Sequence, residues 1–181
     1  MIKIEKYIKE ILIGEEALQN RVREIAKQIE IDYRDKDPVL IGILKGAVPF
    51  MADLLKNIHV PVRIDFMAVS SYGSSTESTG NVKILKDLDK PIRSQNVIIV
   101  EDIIDTGFTI DYLLKTLRVR KPKSIRVCTL LSKPERRIIE VPIDYKGFDI
   151  PNKFVIGYGL DYAEHYRNLP YIAVLKPEVY E

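Results

Sequence analysis

The chain has 181 residues, 46% hydrophobic and 30% charged, which is room for one domain and too apolar for global disorder. Lys and Arg number 28 against 26 Asp and Glu, a net charge of +2, whereas a mainly electrostatic nucleic-acid binder is more basic. At this size folding buries about 70% of the unfolded surface, so no staple is needed, and Cys128 with His59 and His165 makes neither an intrachain disulfide nor a Cys-rich zinc site.

The N-terminus, Met1 to Glu10, is charged throughout and does not read as a signal peptide. No apolar run approaches the length of a membrane span, so no membrane partner is expected. A reducing, cytoplasmic setting is expected. From Glu15 to Tyr33, Leu18, Val22, Ile25, Ala26, Ile29 and Tyr33 recur at helical spacing, which Asp37-Pro38 ends. Val39 to Leu44 is a near-continuous apolar run, predicting a strand buried on both faces. Lys45-Gly46 breaks it, and Val48 to Lys56 reads as a helix. Val62, Ile64, Phe66 and Ala68 alternate with Arg63, Asp65 and Met67, a strand with one more polar face.

Ser70 to Asn81 is a long Ser/Thr/Gly-rich loop, and such loops are often functional. Short strands follow at Val82 to Leu85 and Asn96 to Val100, then an acidic turn and a helix from Thr109 to about Arg118. Ile125 to Leu131, Arg137 to Val141, Phe154 to Ile156 and Ile172 to Leu175 complete the predicted strands. This alternation predicts an α/β fold: a mainly parallel twisted sheet flanked by helices. Ligands of such sheets bind beyond the carboxyl ends of the strands, so the residues after each apolar strand carry the functional signal.

The segment Val100-Glu-Asp-Ile-Ile-Asp-Thr-Gly-Phe-Thr109 puts backbone N–H groups from Asp105 to Thr109 at a helix start, where they attract a phosphate. Thr106 and Thr109 add hydroxyls, and Gly107 permits close approach. Glu101 and Asp102 can accept from a vicinal diol. A plain helix start with an Asp cap accounts for each feature singly. A Walker loop is absent, and Gly157-Tyr-Gly159 meets Tyr162 where a dinucleotide fingerprint needs its third glycine.

This segment resembles the phosphate-binding motif of the type I phosphoribosyltransferases. Further motifs extend the resemblance over most of the chain, nearest to the hypoxanthine/guanine branch. These are Leu44-Lys45-Gly46, Ser70-Ser71-Tyr72-Gly73 with Thr79-Gly80-Asn81, Lys133, and Phe154-Val155 through Asp161 to Arg167. The resemblance implies one domain, a core of about 35–145 under a small hood from about 1–14 and 146–181. It implies 5-phosphoribosyl-1-pyrophosphate and a 6-oxopurine as substrates, Mg²⁺ as cofactor, and a homo-oligomer, dimer or tetramer.

Carried over, Glu101 and Asp102 hold the ribose hydroxyls, and Asp105, Thr106, Gly107, Phe108 and Thr109 cradle the 5′-phosphate. Phe108 stands where relatives carry an aliphatic residue or lysine. Lys45, Gly46 and Arg167 take the pyrophosphate, and Ser71 and Tyr72 belong to a lid. Phe154 stacks on the base, the Val155 backbone meets its edge, and Lys133 donates to the 6-oxo group. Asp161, Glu101 and Asp102 face Mg²⁺, and Asp105 shares the proton the purine loses. Xanthine, adenine or pyrimidine acceptors stay open. So does a non-catalytic nucleic-acid-binding regulator, for which Arg118-Val-Arg120-Lys-Pro-Lys123 is the one basic candidate.

Overall fold

Residues 6–71 and 82–179 are described in a computed structural model. Tyr72, Thr79, Gly80 and Asn81, all assigned above to the polar loop, lie outside them. In chain order the elements are β1 (Ile8–Ile13), α1 (Glu15–Tyr33), β2 (Val39–Leu44), α2 (Val48–Asn57), β3 (Arg63–Ser71), β4 (Val82–Lys86), β5 (Asn96–Ile104), α3 (Phe108–Arg118), β6 (Ser124–Ser132), β7 (Tyr145–Asp149), β8 (Val155–Ile156) and β9 (Ile172–Leu175). A six-stranded sheet runs β4-β3-β2-β5-β6-β7, and a separate three-stranded sheet runs β1-β9-β8. In the larger sheet only the β3–β4 pair is antiparallel. The fold is the mainly parallel α/β sheet that the strand–helix alternation predicts.

The continuous apolar strands have their cause in the two faces. Leu40, Ile98, Val100 and Leu130 join α1 and α2 in one core through Leu18, Val22, Ile25, Phe50 and Leu54. Val39, Ile41, Val97, Ile99 and Val127 of the same strands turn the other way, onto Ile110, Leu113 and Leu117 of α3. Each fully buried Leu or Ile contributes about 1.5–3 kcal/mol, so both faces of β2 and β5 hold helices against the sheet. The helices of the described residues are not long and apolar enough to cross a membrane.

Several sequence expectations are corrected. Arg137 to Val141 is not a strand: Pro134–Arg136 forms a 3₁₀ turn, and Ile138 is 67% exposed. The backbone there serves another purpose, because the N–H groups of Ile138 and Ile139 both donate to the Thr106 carbonyl at 3.0 Å. The edge strand is β7, whose Tyr145 hydroxyl donates to Asp32 Oδ2 at 2.6 Å and accepts from Arg126. In β3 the alternation misassigns two residues, since Met67 is fully buried and Ile64 is 49% exposed. The acidic stretch after Val100 is strand rather than turn: Glu101, Ile103 and Ile104 pair with Thr129, Leu131 and Ser132 of β6.

Chain order reverses between β2 and β5. From β2 the sheet grows to β3 and β4, and from β5 it grows the other way to β6 and β7. The carboxyl ends of these two strands therefore flank the crevice where such sheets bind ligands.

Candidate active site

At the end of β5 the ladder carries Glu101 inside the sheet, where the residue is 7% exposed. Its Oε2 is buried with no hydrogen-bond partner among the described residues. Burial, and then the charge of Asp102, push its carboxyl well above the usual range. Asp102 Oδ1 accepts from the Ile103 N–H at 2.8 Å, yet burial still raises its pKa from 3.8 to about 6. Two adjacent carboxylates held short of positive charge fit a polyhydroxyl or cationic ligand, because both need compensation that the protein does not supply.

The carboxyl shift has a consequence for stability. Between about pH 4 and 6 the folded chain keeps a proton on Asp102 that the unfolded chain has released. The Asp102 contribution is therefore most favourable at low pH and is lost as pH rises through the folded value. The shift from 3.8 to about 6 is equivalent to about 3 kcal/mol. Metal-free Asp102→Asn is expected to be more stable than the unaltered chain by about that much at pH 7 and equal to it near pH 4. Urea denaturation in a chelator at both pH values reads the difference; a gap independent of pH refutes it.

Beyond Ile104 the chain turns through Asp105 and Thr106 into α3. Gly107 is the N-cap, with φ +93° and no side-chain cap, so Asp105 is not the cap. A Cβ on Gly107 would stand 2.3 Å from the Ile139 carbonyl, which is why the turn takes glycine. The Asp111 N–H donates to Gly107 at 3.0 Å, and the amides before it have no intrahelical acceptor. Glu101 to Gly107, with Thr109 and Ile110, line a cavity of about 250 Å³, and Phe108 is not among the lining residues. Phe108 is half-buried at the first turn of α3; nothing in the structure explains its choice over an aliphatic residue.

Three further segments converge on this crevice. The Leu44–Lys45 peptide is cis, and a Cβ on Gly46 would fall 1.6 Å from Asp102 Oδ2. Gly159, at φ +103°, backs onto the Gly46 carbonyl, where a Cβ would stand 1.9 Å away. Arg167 donates through Nη1 to the Gly159 carbonyl at 2.7 Å, and its Nη2 pairs with Asp161 at 2.8 Å. Lys133 begins where β6 ends, and its N–H donates to Ile104 at 3.0 Å. Its side chain is buried, with Nζ 3.9 Å from Asp105 Oδ2. Burial lowers its pKa, and the Asp105 charge partly offsets this.

Phe154 is 37% exposed and meets Tyr162 edge-on, with centroids 5.8 Å apart. Val155 is buried in β8. Lys133 and Phe154, with Arg136 and Lys153, line a second cavity of about 270 Å³. Ser71 ends β3, and Tyr72 is not among the described residues.

Two residues in this site escaped the sequence reading. Arg136 Nε lies 3.0 Å from Asp105 Oδ1, and Glu164 bonds to Lys45 at 2.7 Å. Neither sits at a distinctive spacing; the 3₁₀ turn after Lys133 and the 157–167 loop bring them in.

Among the described residues no three His, Cys, Asp or Glu side chains form a metal-binding group. The orphaned Glu101 oxygen and the raised Asp102 carboxyl still fit a cation, of the kind that keeps its waters and arrives with phosphate oxygens.

Residues 9–163 match the model of the phosphoribosyl transferase domain. The chain is 54% identical over 174 residues to the hypoxanthine-guanine phosphoribosyltransferase of Bacillus subtilis, covering 96% of this chain and 97% of that one. It is 51% identical to part of the bifunctional protein TilS/HprT of Listeria monocytogenes, covering 96% of this chain and 27% of that one. The crystal structure of a hypoxanthine phosphoribosyltransferase from Staphylococcus aureus superposes with a TM-score of 0.95 at 48% identity, over 100% of both chains.

Proposed function

The chain belongs to the phosphoribosyl transferase family, and on that premise we propose that it transfers a phosphoribosyl group from 5-phosphoribosyl-1-pyrophosphate to N9 of hypoxanthine or guanine. The products are the nucleoside monophosphate, IMP or GMP, and pyrophosphate, with inversion at C1′, a reaction of purine salvage. The observation that carries this reading is the contact of Gly46 with Asp102, where a Cβ would fall 1.6 Å from the carboxylate. It packs a turn suited to a diphosphate against the acids suited to the ribose.

In this reading the amides and hydroxyls of Asp105 to Thr109 hold the 5′-phosphate. Glu101 and Asp102 accept from the ribose hydroxyls, and their charge favours the cationic sugar that forms as the C1′–oxygen bond breaks. Lys45 and Arg167 take the charge that grows on the leaving pyrophosphate. Glu101, Asp102 and Asp161 would hold Mg²⁺, which when bound would supply further neutralisation of the leaving group. Phe154 stacks on the base, and the Val155 backbone and Lys133 read its edge. Asp105 takes the proton that the purine loses when N9 bonds to C1′.

The test is incubation with donor, Mg²⁺ and each of hypoxanthine, guanine, xanthine and adenine, reading nucleoside monophosphate. Product with hypoxanthine or guanine supports the reading; product with xanthine or adenine alone reassigns the acceptor, and none with any refutes it. Lys133→Ala is expected to weaken 6-oxopurine binding about tenfold or more, since a charge-assisted bond is lost, while donor binding changes less than twofold. Calorimetric titration of both ligands checks this, and equal losses for both count against the assignment.

A further inference from the structure

The loop that returns over the Lys45–Gly46 turn brings a carboxylate with it. Glu164 Oε2 accepts from Lys45 Nζ at 2.7 Å, and its Oε1 lies 3.4 Å from Arg167 Nη2. One side chain thus spans the two cations assigned to the pyrophosphate. The Glu164 N–H is tied to Asp161 Oδ2 at 2.9 Å, and Asp161 Oδ1 holds the same guanidinium at 2.8 Å. Arg167 Nε is buried with no hydrogen-bond partner among the described residues, a donor still waiting for an acceptor. Ala163, Glu164 and Tyr166 hold φ values of +48°, +65° and +77°, a left-handed run that side chains other than glycine disfavour. The contacts, and not the local preference of the chain, therefore set where Glu164 points.

We propose that Glu164 is a tethered carboxylate that occupies the pyrophosphate seat between Lys45 and Arg167 and so sets how tightly that seat holds a diphosphate. The proposal rests on the reading above and adds a residue to it. Side-chain exposures of 67% for Lys45 and 65% for Glu164 leave the pair well hydrated, and exposed pairs are weak. A weak pair is what a displaceable occupant requires. An arriving diphosphate carries more charge than one carboxylate and takes both cations, and Glu164 swings outward on its loop. When the product is pyrophosphate, the returning carboxylate competes for the same cations and favours release. In this account Glu164 keeps the seat from holding its product too tightly.

Calorimetric titration with inorganic pyrophosphate in Mg²⁺ tests this on the unaltered chain, Glu164→Gln, Glu164→Ala and Lys45→Ala. Both Glu164 variants are expected to bind pyrophosphate about three- to tenfold more tightly, the range for losing one competing exposed charge. Their affinity for ribose 5-phosphate is expected to stay the same. Unchanged pyrophosphate affinity in both variants overturns the proposal and makes Glu164 a bystander. Weaker affinity also overturns it, showing that Glu164 positions Lys45 instead of competing for it. The underlying reading fails separately, if Lys45→Ala binds pyrophosphate as well as the unaltered chain does. Melting curves confirm that each variant is folded.

Discussion

Asp105→Asn is expected to lower kcat about a hundredfold while leaving KM for the phosphoribosyl donor within twofold, the size and pattern of losing a general base. The geometry of the carboxyl is the reason. Asp105 Oδ1 is buried without a hydrogen-bond partner among the described residues, although Arg136 Nε stands 3.0 Å away. The guanidinium is close enough to compensate the charge but lies off the hydrogen-bonding line, so a lone pair stays free for a donor. Lys133 Nζ, 3.9 Å from Oδ2, ties this carboxylate to the residue that would read the 6-oxo edge. Asparagine keeps the shape and one acceptor but cannot take a proton. Single-turnover rates isolate the chemical step, and an unchanged rate removes Asp105 from the role.

Gly46→Ala carries the second large effect. Its methyl carbon would lie 1.6 Å from Asp102 Oδ2 and 2.5 Å from Cγ. Asp102 has little room to yield, because Oδ1 is held by the Ile103 N–H at 2.8 Å. The turn cannot easily back away either, since the Gly46 carbonyl already rests against Gly159. Overpacking of this kind costs about 1–3 kcal/mol, and here the displacement falls on the acid assigned to the ribose. The expected result is a rise of at least about tenfold in donor KM and a fall of about a hundredfold in kcat/KM, on the scale of that overpacking cost plus misplacement of the sugar. Steady-state kinetics with donor varied at saturating purine reads it. A variant with the original kcat/KM would mean that the turn opens freely and that the close contact has no bearing on the sugar.

The segment proposed to hold the phosphate is the most legible part of the site, because one continuous run from Glu101 to Thr109 carries its acids, hydroxyls and glycine. The helix spacing of Leu18 through Tyr33 and of Ile110 through Leu117 was equally readable, since a helical face is a local property of order. The edge strand Tyr145–Asp149 was missed, because Lys146 and Gly147 carry no apolar run and its place comes from pairing with β6. Strand β1 is missed for a similar reason: Lys9, Glu10 and Ile11 at its centre are exposed, and pairing with β9 holds it. Arg137 to Val141 read as a strand from composition alone, but its amides are spent on Thr106.

By itself, the order of residues determined the α/β class, the buried central strands and the glycine-bearing helix start on which the phosphate proposal rests. Each of these depends on neighbours a few positions apart, where hydrophobic period and helix-start chemistry act. Only the tertiary structure decided that Asp102 closes against Gly46, that Arg136 attends Asp105, and that Glu164 bridges Lys45 and Arg167. Those contacts join residues far apart in the chain, and the sheet's switch of direction between β2 and β5 brings the segments within reach. The raised carboxyl of Asp102 has the same origin, for burial is created by packing and is written in no single stretch of sequence.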